Sequence, residues 1–195
     1  MQAIHKLIDN YNVIWSTPGK TDRSAMPLGN GEVAVSLWVE EDGDLQLYIG
    51  RSDALTELDR NVKLGKVRIT LSPNFFAKGK PFRQEFKLRK GCVDITAGDE
   101  AEQAKIKVFV DSSNPAIYIA GEFTCPTEVT CKYQNWRTAI FGDADGIHET
   151  SDIIQDKSNG ILFYHRNGET SVRETAELES LAQDIDNTLG VRRIY

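Results

Sequence analysis

Short apolar runs, many alternating with polar residues, recur along the chain between clusters of turn-forming residues. Alternation with a period of two marks a strand with one face on a core and the other in water. It is clearest where Ile106, Val108 and Val110 alternate with Lys105, Lys107 and Phe109, and where Val129, Cys131 and Tyr133 share one face. The pattern predicts strands at Asn12–Trp15, Glu32–Val39, Leu45–Ile49, Lys66–Leu71, Phe82–Leu88, Cys92–Thr96, Lys105–Val110, Ala116–Phe123, Glu128–Asn135 and Ile161–His165. Residues rich in Gly, Pro, Asn, Asp and Ser separate them, as at 41–44, 77–81, 112–115 and 167–168. Many short strands spaced by roughly 8–12 residues predict a mainly β chain, an antiparallel two-sheet β-sandwich. No repeat, low-complexity tract or flexible linker interrupts the pattern, so a single domain over residues 1–195 is expected.

Two segments read differently. Leu178, Leu181, Ile185 and Leu189 recur at spacings of three and four, Ser171 and Glu174 have capping-box spacing, and Gly190 stands where a C-terminal cap belongs. They predict one short helix over Thr175–Gln183. The stretch Met26–Glu32 reads as a tight turn feeding the strand after it, with Asn30-Gly31 supplying the positive φ angles of a two-residue hairpin turn.

Composition narrows the partners. The 195 residues carry a net charge of −6, with the charges scattered and no basic stripe, which argues against nucleic acid. No apolar run approaches the roughly 20 residues of a membrane span. The first ten residues include His5, Lys6 and Asp9 and lack the apolar core of a signal peptide, so the residues alone equally allow a cytoplasmic protein. Cys92, Cys125 and Cys131 are odd in number and contain no CxxC, so neither a disulfide framework nor a zinc site is signalled. They read as small buried apolar residues, with a Cys125–Cys131 bridge as the less favoured alternative.

Four segments in order carry a family resemblance: the Asn12–Trp15 strand, Met26-Pro27-Leu28-Gly29-Asn30-Gly31 with the apolar run after it, Val62–Pro73, and Tyr164-His165-Arg166-Asn167. Together they resemble an unassigned N-terminal β-sandwich domain family of large secreted bacterial glycoside hydrolases, related to the α-L-fucosidase type with its similar opening. The resemblance implies a supersandwich-like fold, a secreted or periplasmic parent whose leader is absent here, and a C-terminal catalytic domain as partner. It also implies that the catalytic carboxylates lie in a separate helical toroid after the β domain, so no catalytic residue is assigned in this chain. For the Ser171–Gly190 segment it implies a loop and strand rather than the helix that the periodicity predicts. Val191–Tyr195 reads as the start of a strand, hence the expectation that the chain is a truncated N-terminal piece of a longer glycosidase.

Candidate chemistry is sparse. Glycoside hydrolysis uses two carboxyl groups roughly 5–9.5 Å apart, and Glu32, Asp53, Glu57, Asp143, Asp145, Glu149 and Asp152 lie near predicted strand ends with nothing singling out a pair. Asp143, Asp145 and Glu149 offer oxygen ligands at alternating positions, which suits calcium, but the spacing departs from an EF-hand and a polar surface loop is the simpler reading. For a carbohydrate ligand the candidates are Trp136 and Arg137, an indole and a guanidinium in a polar setting, and Tyr164, His165, Arg166 and Asn167, which pack donors and aromatic surface at a strand end. The plainer reading makes Asn167-Gly168 a hairpin turn, His165 a cross-strand partner and Trp136 a packing residue. Trp38, inside an apolar strand, belongs to the core; Trp15 suits either role.

The leading expectation is an accessory domain that packs on, and shapes the cleft of, a separate catalytic domain in glycan degradation. The alternatives are a stand-alone carbohydrate-binding module, or a non-enzymatic surface interaction domain that uses the sandwich as a scaffold.

Overall fold

The structure, a computed structural model, describes residues 7–41, 43–55, 61–138, 141–142, 148–149 and 151–166. Its strands are β1 (Val13–Trp15), β2 (Met26–Gly29), β3 (Val33–Val39), β4 (Asp44–Leu55), β5 (Asn61–Ser72), β6 (Phe82–Lys87), β7 (Cys92–Gly98), β8 (Gln103–Val110), β9 (Ile117–Phe123), β10 (Glu128–Gln134), β11 (Phe141–Gly142), β12 (His148–Glu149), β13 (Ile153–Lys157) and β14 (Gly160–Tyr164). The two main antiparallel sheets have five strands each, in the orders β1-β6-β7-β8-β9 and β10-β5-β4-β3-β2. The described helical residues are a turn at 7–9 and 3-10 turns at Asp22–Ser24 and Leu88–Lys90. The helix expected over Thr175–Gln183 lies outside the described residues.

The chain divides into two compact units, Met1–Gly50 with Lys66–Lys132, and Arg51–Gly65 with Tyr133–Tyr195. The first holds the sandwich core. Alternation sends Met26, Leu28, Val35, Leu37, Val39, Leu45, Leu47, Ile69 and Leu71 of one sheet inward, against Val93, Ile95, Ala97, Ala104, Ile106 and Val108 of the other. Phe75 and Phe76, from the β5–β6 connection, fill the same core. Each large apolar side chain buried there contributes about 1.5–3 kcal/mol.

Trp38 is buried, as expected, but on the opposite face of its sheet from this core. Its indole lies 4.9 Å from the Tyr48 ring and donates to Glu40 Oε1 at 3.2 Å. β3 is covered on both faces at this level, so Leu37-Trp38-Val39 is continuously apolar rather than alternating.

The Met26–Gly29 segment is a strand, not part of a turn. Met26 and Leu28 point inward, and Pro27 sits on a sheet edge, where its missing N–H costs little. The turn is also displaced by one residue from the expected Asn30-Gly31. Asn30 N–H donates to the Val33 carbonyl at 3.1 Å, which leaves Gly31-Glu32 at the centre, with Gly31 at φ +94°. The Asn30 side chain explains the displacement: Oδ1 accepts from Glu32 and Val33 N–H at 2.9 and 2.8 Å and takes over a bond the Asn30 carbonyl makes in an ordinary turn.

In the second unit, β11–β12 and β13–β14 are separate two-stranded antiparallel ribbons. Tyr133, at the end of β10, lies over Gly65 and donates its hydroxyl to the Leu64 carbonyl at 2.7 Å. Its ring stacks on Phe163 of β14 at a centroid distance of 4.0 Å.

The described cysteines are free thiols. Only Cys92 is buried as expected; Cys125 is half-buried and Cys131 is exposed. No helix among the described residues is long and apolar enough to cross a membrane.

Candidate functional site

The site with the most built chemistry lies in the second unit, where the chain leaves β10. Asn135 closes a local turn: its Oδ1 accepts from Arg137 N–H at 3.0 Å and its Nδ2 donates to the Arg137 carbonyl at 3.1 Å. That turn holds Arg137 so that Nε donates to Asp152 Oδ1 at 2.8 Å. A further Arg137 nitrogen, Nη1, reaches the Lys63 carbonyl at 3.3 Å. The Asp152 backbone N–H returns to the Arg137 carbonyl at 2.9 Å. His165, one residue past β14, places Nδ1 2.9 Å from the same Asp152 Oδ1. One carboxylate oxygen therefore serves a guanidinium and an imidazole from different ends of the unit.

Burial makes this arrangement consequential. The Asp152 side chain is 2% exposed, His165 5% and Arg137 11%. A carboxylate so far from water needs a paired cation and hydrogen bonds, and Arg137 supplies both. Asp152 Oδ2 is buried without a hydrogen-bond partner among the described residues. The contact between His165 Nδ1 and Asp152 fixes the imidazole in orientation. Burial, then the nearby Asp152 charge, pushes the Tyr133 phenol from its ordinary 10.0 up to about 12, opposed by Arg137.

The candidates fall into distinct groups. Arg137 and His165 come together, through Asp152. Trp136, between Asn135 and Arg137, is 47% exposed. Tyr164 is half-buried at the end of β14, paired with Ile153, and Arg166 is exposed. Asn167, Asp143, Asp145 and the side chain of Glu149 lie outside the described residues. Of the carboxylates considered, Glu32 and Asp53 are exposed, and Asp53 pairs with Arg51 at 2.7 Å; Glu57 lies outside the described residues. Asp152 appears among the carboxylates near strand ends, but its joining of Arg137 to His165 has no local signature. No group of three His, Cys, Asp or Glu among the described residues is placed to hold a metal ion.

A second polar cluster, in the first unit, is missed by the sequence pattern altogether. Glu40 accepts from Trp38 Nε1 and, at 3.0 Å, from Gln46 Nε2, while Arg68 Nε lies 3.0 Å from Asp44 Oδ2 and Nη2 reaches Glu40 at 3.5 Å. Two carboxylates are thus tied to one guanidinium and to the indole and amide donors of Trp38 and Gln46. Burial, with Asp22 and Glu40, pushes the neighbouring Tyr48 phenol up. The cluster braces β3, β4 and β5 against one another on the face of the sheet away from the core.

The second-unit site thus combines a buried Asp152 carboxylate paired with Arg137, an imidazole held on the same oxygen, and a nearby half-exposed Trp136. No curated protein matches the chain. A family model described as Domain of unknown function (DUF5703) matches residues 14–192, and the chain therefore belongs to that family.

Proposed function

We propose that the chain is an accessory β-sandwich domain of an exported glycan-degrading protein, docking onto a separate catalytic domain and shaping its substrate cleft. The observation that carries this reading is the β13–β14 ribbon. Ile153 and Leu162 lie on one of its faces, Ile154 and Ile161 on the other, and all four are exposed. A two-stranded ribbon is marginal in water by itself. One with apolar side chains bare on both faces gains stability from a covering surface. The ordered resemblance to front domains of glycoside hydrolases supplies the identity of the covering domain. Within the parent polypeptide, Ile153→Ser with Leu162→Ser should lower glycan hydrolysis and speed hydrogen exchange in the ribbon. Unchanged hydrolysis together with unchanged exchange contradicts the reading.

Exposed Trp136 favours a second reading, direct sugar contact. The C–H face of a pyranose packs on an indole, and the Asn135–Arg137 turn fixes the backbone that carries this one. The two readings are compatible, with Trp136 forming part of a cleft wall.

A further inference from the structure

We propose that β9 is a self-pairing edge, and that two copies of this chain join through it into one continuous sheet across a two-fold axis. Among the described residues the main sheets have four edges, and three are guarded. β1 is only three residues long. β2 carries Pro27, and β10 carries Glu128 and Lys132. Short length, proline and charge are the usual means by which an edge is kept from pairing. β9 is seven residues, Ile-Tyr-Ile-Ala-Gly-Glu-Phe, with neither lysine nor proline and one formal charge, Glu122. Tyr118 is 47% and Ile119 40% exposed, on opposite faces of the strand.

The register with β8 fixes which backbone groups are free. Thr124 N–H donates to the Gln103 carbonyl at 3.0 Å and Asp111 N–H to the Ala116 carbonyl at 2.9 Å. In an antiparallel ladder hydrogen-bonded pairs recur at every second residue. Tyr118, Ala120 and Glu122 therefore bond inward to β8, opposite Phe109, Lys107 and Lys105. Ile117, Ile119, Gly121 and Phe123 turn their N–H and C=O groups to the open edge.

An antiparallel pair of β9 strands centred on Ala120 matches these groups. Ile119 meets Gly121 of the second copy and Ile117 meets Phe123, each pair exchanging backbone bonds. Inward faces stay with inward faces, because the register is even. In this register Glu122 faces the Tyr118 phenol instead of another carboxylate. Centring on Glu122 would set like charges opposite each other. A strand that is both template and complement closes as a symmetric dimer in which the β9 edge of each copy is used up.

The test is sedimentation and light scattering of the intact chain across a concentration series, with two variants. Ile119→Pro removes an outward N–H while sparing every β8–β9 bond, so it should weaken dimerisation at least tenfold with the β circular dichroism unchanged. Ala120→Cys, in a Cys131→Ser background, places two thiols at a non-hydrogen-bonded pair and should yield a disulfide-linked dimer on mild oxidation. A chain that stays monomeric throughout, and whose Ala120→Cys variant forms no cross-link, overturns the proposal. So does a dimer that Ile119→Pro leaves unaffected, since it would use another surface.

Discussion

Asn30 donates its side-chain amide to the backbone carbonyl of Asp111 at 2.8 Å, pinning the β2–β3 turn to the turn that precedes β9. The same Nδ2 reaches the Asn114 carbonyl at 3.1 Å, while Oδ1 holds Glu32 and Val33. One side chain thus organises two turns. The Asp111 carboxyl, held below its ordinary range by the Ser113 N–H and then by Asn114, shapes the second of them. Asn30→Ala should destabilise the chain by about 2 kcal/mol, the sum of several modest hydrogen bonds. Asn30→Asp keeps the acceptor and loses the donor, so in urea unfolding it should fall between the wild type and the alanine variant. A wild-type midpoint for Asn30→Asp would show that the Asp111 link adds nothing.

Much of the sandwich is legible in the sequence, because one-sided burial writes itself as alternation: β7 and β8 match their apolar periods to within a few residues. β2 is hidden by Pro27 and Gly29, which read as turn residues although an edge strand tolerates both. β4 and β5 run on beyond their apolar stretches, through Arg51-Ser52-Asp53 and Asn61-Val62-Lys63, where no core demands apolar residues. The site is legible only in parts. Trp136-Arg137 and Tyr164-His165 stand out as polar-aromatic clusters, but Asp152 lies 15 residues from Arg137 and 13 from His165, and neither separation has a local period.

Asp152→Asn should cost about 3–5 kcal/mol, because it strands a buried guanidinium without a counter-charge. Replacing both partners, Asp152→Leu with Arg137→Met, should cost less than the single change, since no buried charge then remains. Chemical denaturation of the three proteins decides the matter. Equal losses for single and double variants would mean that the ion pair is not the source.

Gly65→Ala would bring a Cβ to 2.2 Å from the Tyr133 ring, so the ring must move off Phe163 and its hydroxyl off the Leu64 carbonyl. A loss of about 1–3 kcal/mol is expected. Tyr133→Leu should relieve most of it, giving a strong coupling in a double-mutant cycle. Additive effects would place the Tyr133 ring elsewhere.

Tyr133 also sets a pH dependence. Its folded-state pKa, about 12, lies above the ordinary 10.0, so folding favours the protonated phenol. The stability linked to it is whole below pH 10 and is lost as pH rises toward 12. Between those values the wild type should lose stability faster than Tyr133→Phe. Parallel curves would contradict the burial of this phenol beside Asp152.

Trp136→Ala should leave stability within about 1 kcal/mol, as suits an exposed side chain, and should remove any quenching of tryptophan fluorescence by soluble glycan oligosaccharides. Quenching that survives the substitution would move sugar contact to another aromatic residue.

The central claim is that this sandwich works as the accessory front of a glycan-degrading polypeptide. The most direct measurement is to read the native coding frame beyond codon 195. The account predicts a continuation into several hundred residues with repeated amphipathic helices, the catalytic partner of the β13–β14 ribbon. A stop codon immediately after Tyr195 would contradict it.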